Sequence, residues 1–359
     1  MLTQAAEIES LKITLKNHEE SIETLKEELN LKDVFIRELT DRLRNKSQLS
    51  VTNILERKNL KGLFKFYTGL TYVRFCALLA FLMPAGFSLK YESNRQDIQE
   101  ISNQDCLLLV LCRLRQNYFL KDLAMRFGLT LQSSGAVFNA WVKHMYLKLG
   151  QLSIWPHRDI IIRNMPQDYK SEFPSTLVII DGTEIRTQTP CALGLQSQCY
   201  SDYKSSTTLK CLIGCDPNGS ITFVSELFTG AISDKALSEE SGFYDLLKDL
   251  IQKEYVKKGD AVMADKGFTI EKELSELGLK LNIPPHASSS CQMSAADTEL
   301  TQKIAKHRIH IERLIAKVKK FRIVAHTIPT NLFQTINQIW SVACLLTLFQ
   351  DVFVKDKEK

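Results

Sequence analysis

TLVIIDG at residues 176–182 and GDAVMADKGF at 259–268 follow one pattern: a short apolar run ends on an aspartate, and glycine follows within two residues. The runs are short and apolar, as expected of strands. Between them, Leu209–Cys215 and Ile221–Phe228 flank Asp216-Pro217-Asn218-Gly219, a strong hairpin signal. A helix is expected over about Lys235–Ile251, a strand over Ala261–Ala264, a helix over Ile270–Leu277 and a strand over Leu279–Ile283, closed by Pro284-Pro285. A long helix over about Ala295–Phe321 and an apolar one over Leu332–Phe349 complete the order. Strand, hairpin, helix, strand, helix, strand, helix predicts an α/β domain with helices against a mixed sheet.

Upstream the pattern is helical. Residues 8–46 carry a 3-4 apolar repeat without Gly or Pro, with Ile8, Leu15, Ile22, Leu29, Ile36 and Leu43 at a and Leu11, His18, Leu25, Lys32, Leu39 and Lys46 at d. This predicts a coiled coil; a lone amphipathic helix docked on its own domain is the other reading. After a polar break at Asn45–Val51, a helical region follows from about Ile54 to Leu149. Phe119–Phe127, Gly128-Leu129-Thr130 and Leu131–Tyr146 have the shape of a helix-turn-helix, with Gly128 ending the first helix and Thr130 or Ser133 capping the second. Leu123, Ala124, Phe127, Val137, Phe138 and Trp141 fall on inward faces. Gln132, Ser133, Ser134 and Asn139 are then the outward side chains available to read DNA. A hairpin that only packs satisfies the same pattern.

Composition narrows the class. With 44% apolar and 24% charged residues over 359, the chain reads as an ordinary soluble protein. The apolar run Phe75–Phe87 is interrupted by Pro84 and too short to span a bilayer, so no membrane partner is expected. Nine scattered cysteines include Cys211 and Cys215 but no second pair at zinc-ligand spacing; reduced, mostly buried thiols inside the cell are expected. A net charge of +5 is mild, but its distribution is not. Eight Lys or Arg lie between Lys303 and Arg322 against one acid, Glu312.

That lone carboxylate draws the chemistry together. Acids at the carboxyl ends of neighbouring strands converge on one point in an open α/β sheet. Asp181 and Asp265 are such acids, and Glu312 on the long helix offers a third. Hard divalent ions want oxygen ligands, and two of them would serve an in-line phosphoryl displacement. The flanking bases would then meet a phosphate backbone. Each residue also has a plainer reading: Asp-Gly favours turns, and Glu312 with Arg308 makes an ordinary surface ion pair worth under about 1 kcal/mol. Asp234, Asp260 and Glu184 lie near strand ends too; Asp265 is preferred to Asp234 because it closes an apolar strand. His307 and His310, on a basic helix, are read as packing or phosphate contacts rather than metal ligands.

Seven segments carry a resemblance: IIDGTEI (179–185), YSDYKSSTTLK (200–210), ITFVSELFTGAISDK (221–235), GDAVMADKGF (259–268), LKLNIPP (279–285), RIHIERLIAKVKKFRI (308–323) and NQIWSVACLLTLF (337–349). Together they closely resemble the DDE superfamily endonucleases of PIF/Harbinger-like, THAP-associated transposases. YTGL (67–70) and LRQNYFLKDLAMRFGLTLQSS (114–134) resemble the accessory region of that family. The resemblance implies an RNase H-like fold, with Asp181, Asp265 and Glu312 as catalytic, metal-binding acids for Mg²⁺ or Mn²⁺. One departure lies at 204–208, where K-S-H-N-T is usual and this chain has Lys204-Ser205-Ser206-Thr207-Thr208. The second helix of the helix-turn-helix is also poor in basic residues. No Cys/His spacing of a THAP finger occurs in the sequence.

The expectation is therefore a coiled coil at 1–46, a helical region with helix-turn-helix at 54–150, and an RNase H-like endonuclease domain at 170–355. It would act on DNA in the nucleus as a homo-oligomer joined by the coiled coil. Lys204, Lys266 and Arg308, with Gln132 and Ser133, are the candidate DNA contacts. A domesticated, catalytically silent DNA-binding or protein-interaction module is the rival.

Overall fold

A computed structural model describes residues 2–47, 49–57, 62–91, 96–285 and 294–351, and within the first helix the side chains at 12 and 14–39. Ile8, Leu11, Leu43 and Lys46 of the apolar repeat, and Cys291, lie outside the described side chains.

Seven strands build one mixed sheet: β1 (Thr176–Arg186), β2 (Tyr200–Ser201), β3 (Ser206–Cys215), β4 (Ile221–Val224), β5 (Phe228–Thr229), β6 (Ala261–Met263) and β7 (Lys280–Asn282). β1 is central. It pairs antiparallel with β3 on one edge and parallel with β6 on the other, and β7 extends the parallel side. The far edge of β3 takes β2, β5 and β4 in turn. Val178, Ile179, Ile180, Leu212, Ile213, Val262 and Met263 are all buried, which accounts for their unbroken apolar runs.

Two elements depart from the sequence reading in ways that matter. β1 does not stop at Ile180 but runs six residues further, to Arg186, so Asp181 sits within a strand. The reason is β3: it begins at Ser206 rather than Leu209, and its early residues Thr208–Cys211 pair with Thr183–Arg186. The helix expected over Lys235–Ile251 is two helices, Asp234–Glu240 and Phe243–Gln252. Gly242 between them adopts φ 78°, a left-handed conformation that ends the first helix. The hairpin at Asp216–Gly219 forms as its residues dictate; the Asp216 carboxylate accepts from the backbone N–H of Asn218 and Ser220.

The helix-turn-helix takes its expected shape. Leu120–Phe127 closes on Gly128 at φ 68°, and Leu131–Leu149 opens with the Thr130 hydroxyl accepting from the N–H of Ser133. Leu123, Ala124, Phe127, Val137, Phe138 and Trp141 are buried. The helix Ile336–Leu345 lies against Leu131–Leu149, and Asp351 bonds Lys65 and Arg74 at 3.1 and 2.8 Å. One apolar cluster thus runs from Val51 to Leu346, joining helical region and sheet.

The first helix, Leu2–Ser47, is different. Leu15, Ile22, Leu25, Leu29, Ile36 and Leu39 are all exposed, so the described part of its stripe does not dock on the rest of the chain. Among the described residues no helix is long and apolar enough to cross a membrane. Cys106, Cys112, Cys199, Cys211, Cys215 and Cys344 are buried free thiols, while Cys191 is exposed and Cys76 half-buried.

Candidate active site

In the parallel pairing of β1 with β6, Ile179 stands opposite Met263. Asp181 and Asp265 each lie two residues further on, Asp181 still within β1 and Asp265 just past the end of β6. β6 ends at Met263 while β1 continues, and the unpaired edge opens a cleft of about 660 Å³. Sites in such sheets form there, beyond the carboxyl end of a strand and where connections diverge. Glu312 lines the same cleft from the helix Ala295–Val318, whose Ile304, Ile311 and Leu314 are buried against the core.

The two aspartates share one cation. Arg308 reaches Asp181 Oδ1 from Nη2 at 3.6 Å and Asp265 Oδ1 from Nη1 at 3.1 Å, with its own side chain only 12% exposed. The backbone N–H of Lys266 donates to Asp265 at 2.9 Å. Burial pushes the Asp181 carboxyl up to about 6; Arg308 works against the rise, and Asp265 adds to it. The surface pair of Arg308 with Glu312, the plainer reading of that spacing, is not made, because the guanidinium turns to the aspartates. Glu312 is exposed, one helical turn beyond Arg308, with no ion pair among the described residues.

Asp234 belongs to the same cleft. It pairs with Lys210 Nζ at 2.8 Å, and the Lys210 ammonium also donates to the Ile232 carbonyl at 3.2 Å. Its carboxylate fits between two glycines. A Cβ at Gly182 would stand 3.0 Å from Asp234 Oδ1, and one at Gly267 only 2.8 Å from Oδ2. Glu184 accepts from the Thr208 hydroxyl at 2.8 Å. Lys319 and Lys204 complete the basic wall; burial first, then the nearby Lys204, pushes the Lys319 ammonium below its ordinary value. Asp260, the other strand-end acid, lies just before the start of β6, buried with Arg158 Nε at 2.9 and 3.0 Å, a structural pair.

The expected DNA contacts divide. Lys204 is exposed on the cleft, its ammonium 4.4 Å over the Tyr203 ring. Lys266 is exposed beside Asp265 but does not line the cleft. Arg308 is engaged by the aspartates. Gln132 and Asn139 are exposed, yet Ser133 and Ser134 are fully buried, which corrects the outward placement of both. Ser133 donates to Asp97 at 2.8 Å and is consumed by the capping of its own helix. His307 is buried edge-on to Tyr169 and Phe173, so it packs. Asp234, weighed against Asp265 from the sequence, lines the same cleft, and so does Lys319 of the basic stretch; Lys210 carries no signal in the sequence, because only the paired strands aim it.

Carboxylate oxygens are the right donors for a hard divalent ion, and Asp181 and Asp265 already share a cationic group. They fit one ion. Among the described residues, however, no three His, Cys, Asp or Glu side chains lie close enough to hold one together.

A mixed α/β domain with an acid-lined cleft on its central strand, preceded by a helix-turn-helix, is the class this geometry defines. Residues 180–347 match the family described as DDE superfamily endonuclease, and residues 99–151 match the helix-turn-helix of DDE superfamily endonuclease. The two matches support a transposase-derived protein of the DDE superfamily. No curated protein and no solved structure matches the chain.

Proposed function

We propose that the chain is a metal-dependent DNA endonuclease of the transposase type, PIF/Harbinger-like, with an RNase H-like catalytic domain. One observation carries this reading: Asp181 on β1 and Asp265 just past the end of the parallel β6 share one cation in a cleft that Glu312 also lines. The antiparallel side formed by β3 and the parallel side formed by β6 and β7 support the RNase H-like assignment. Asp181 and Asp265 would hold Mg²⁺ or Mn²⁺, and Glu312 would complete the set from its helix. Bound there, such ions supply an activated water or 3′-hydroxyl and charge stabilisation at the leaving oxygen.

The chain's own residues do the rest. Lys204 and Lys319 present two ammonium groups on the wall facing the acids, where a phosphate backbone would lie. Lys210 neutralises Asp234, so that the acid between the glycines adds little net charge. The helix-turn-helix docks DNA, with Gln132 and Asn139 outward. The exposed apolar stripe of Leu2–Ser47 pairs protomers as a coiled coil, bringing two DNA ends together in the nucleus.

The test is nicking of supercoiled plasmid with Mn²⁺. Activity that disappears in Asp181→Ala, Asp265→Ala and Glu312→Ala supports the assignment; activity that survives Glu312→Ala removes the glutamate from it. A second reading has its own support, because Arg308 bridges the aspartates and, among the described residues, no three acids or imidazoles gather to hold an ion. On that reading the domain is a silent DNA-binding module. Wild-type protein that binds DNA but never nicks it, across varied ends and with Mn²⁺ in excess, favours the silent form.

A further inference from the structure

We propose that Arg308 is the built-in occupant of the cation position between Asp181 and Asp265, and that a divalent ion enters only as Arg308 leaves. This rests on the reading that the two aspartates hold the metal. The guanidinium is forked across both carboxylates at 3.1 and 3.6 Å and is nearly buried. Its third nitrogen, Nε, is buried without a hydrogen-bond partner among the described residues. A structural arginine at this depth ordinarily satisfies its whole fork. Arg308 is instead held by charge, at the position where two neighbouring acids need a positive partner.

Two like charges cannot share that position. An ion seated between the carboxylates would repel a guanidinium 3–4 Å away, strongly so in a partly desolvated cleft. Arg308 has a long, rotatable stem and lies one turn from Glu312 on the same helix, so release swings its charge without moving the helix. Freed, it faces the cleft in which Lys204 and Lys319 also stand. An anion there would hold it away from the aspartates. Metal and nucleic acid would therefore favour each other's binding, and reciprocally. The exchange also keeps the acids neutralised before the ion arrives, so the two aspartates never face each other bare.

Mn²⁺ binding to the full chain, read by the loss of the free-ion electron paramagnetic resonance signal, tests this without any turnover. Arg308→Gln is expected to bind Mn²⁺ on the order of tenfold more tightly than wild type. A short DNA duplex should tighten Mn²⁺ binding in wild type and leave Arg308→Gln unchanged. Equal or weaker Mn²⁺ binding in the folded variant overturns the proposal. Should Arg308→Gln fail to fold by circular dichroism, Arg308→Lys decides alone: its single-pronged charge should bind Mn²⁺ more tightly than wild type, and an affinity no higher overturns the idea. Asp181→Asn separates the two layers of the argument. Mn²⁺ binding that survives it refutes the metal site and this proposal together; binding lost there but not tightened at Arg308 refutes the proposal alone.

Discussion

Asp97 and Asp181 are both half-buried aspartates, and their surroundings could hardly be less alike. Asp97 sits beneath the turn of the helix-turn-helix, where it accepts from the Ser133 hydroxyl at 2.8 Å and the Thr130 N–H at 3.1 Å. Burial works against its charge, but these hydrogen bonds win and hold its carboxyl below the ordinary value. Asp181 in the cleft has a shared guanidinium at 3.6 Å and another carboxylate as neighbour, and its carboxyl is pushed up to about 6. One acid is fully matched and builds a turn. The other is kept short of partners, which is the state in which an arriving cation gains most. The contrast also separates polar groups spent on folding from those left for chemistry.

The largest effect expected from this contrast is in the cleft. Asp181→Ala or Asp265→Ala should reduce Mn²⁺-dependent nicking by more than the roughly 10–100-fold that loss of a metal's outer partner costs, while filter-retained DNA binding persists. Loss of both together would mean the cleft supports the fold rather than the chemistry.

Next comes pH. A carboxyl raised to about 6 is ionised only above that value, so Mn²⁺ affinity should fall about tenfold for each pH unit below it. Stability without metal follows the opposite sense. A raised acid penalises the folded state above its unfolded value of about 3.9, fully so beyond 6, and the penalty is relieved as pH falls between them. The Asp97 contribution is present above the ordinary aspartate value and is lost as pH drops through its lower folded value. Titration calorimetry with Mn²⁺ and urea melts across pH 3–8 would show whether the two acids diverge in this way.

Asp97→Ala should cost about 1–2 kcal/mol, as does loss of a buried hydrogen-bonding partner of a helix cap. Urea melts measure it, and Ser133→Ala in the same background should add little if the two act as one unit. The smallest effect is expected at Gln132. Its truncation should weaken DNA binding by less than about 1 kcal/mol, under the roughly 1–3 kcal/mol of a base-specific bidentate contact. A larger, sequence-selective loss would make the helix Leu131–Leu149 a reader of bases after all.

Much of this architecture was legible in the residues, for identifiable reasons. The apolar runs before Asp181 and Asp265 announced two buried strands, and Gly128 with Thr130 marked the turn between two helices. Local rules read local signals well. The extension of β1 to Arg186 was not visible, since it depends on which residues of β3 lie opposite. Ser133 looked outward because a cap residue and a surface serine have the same local sequence; only Asp97, far along the chain, turns it inward. Arg308 was read as facing phosphate or Glu312, its neighbour by helical spacing. A pair of aspartates from other elements outweighs that neighbour, and side-chain competition of this kind is settled by tertiary geometry.

Asp234 has a consequence of its own. Its carboxylate is wedged between the bare backbones of Gly182 on β1 and Gly267 just past Asp265, and so fills the gap beside both acids. Lys210 balances its charge independently of its thickness. Width and charge at this spot are therefore separable dials. An amide at 234 would keep the same size and shift only the field, whereas a Cβ at either glycine would press on the Asp234 carboxylate and leave the net charge as it was.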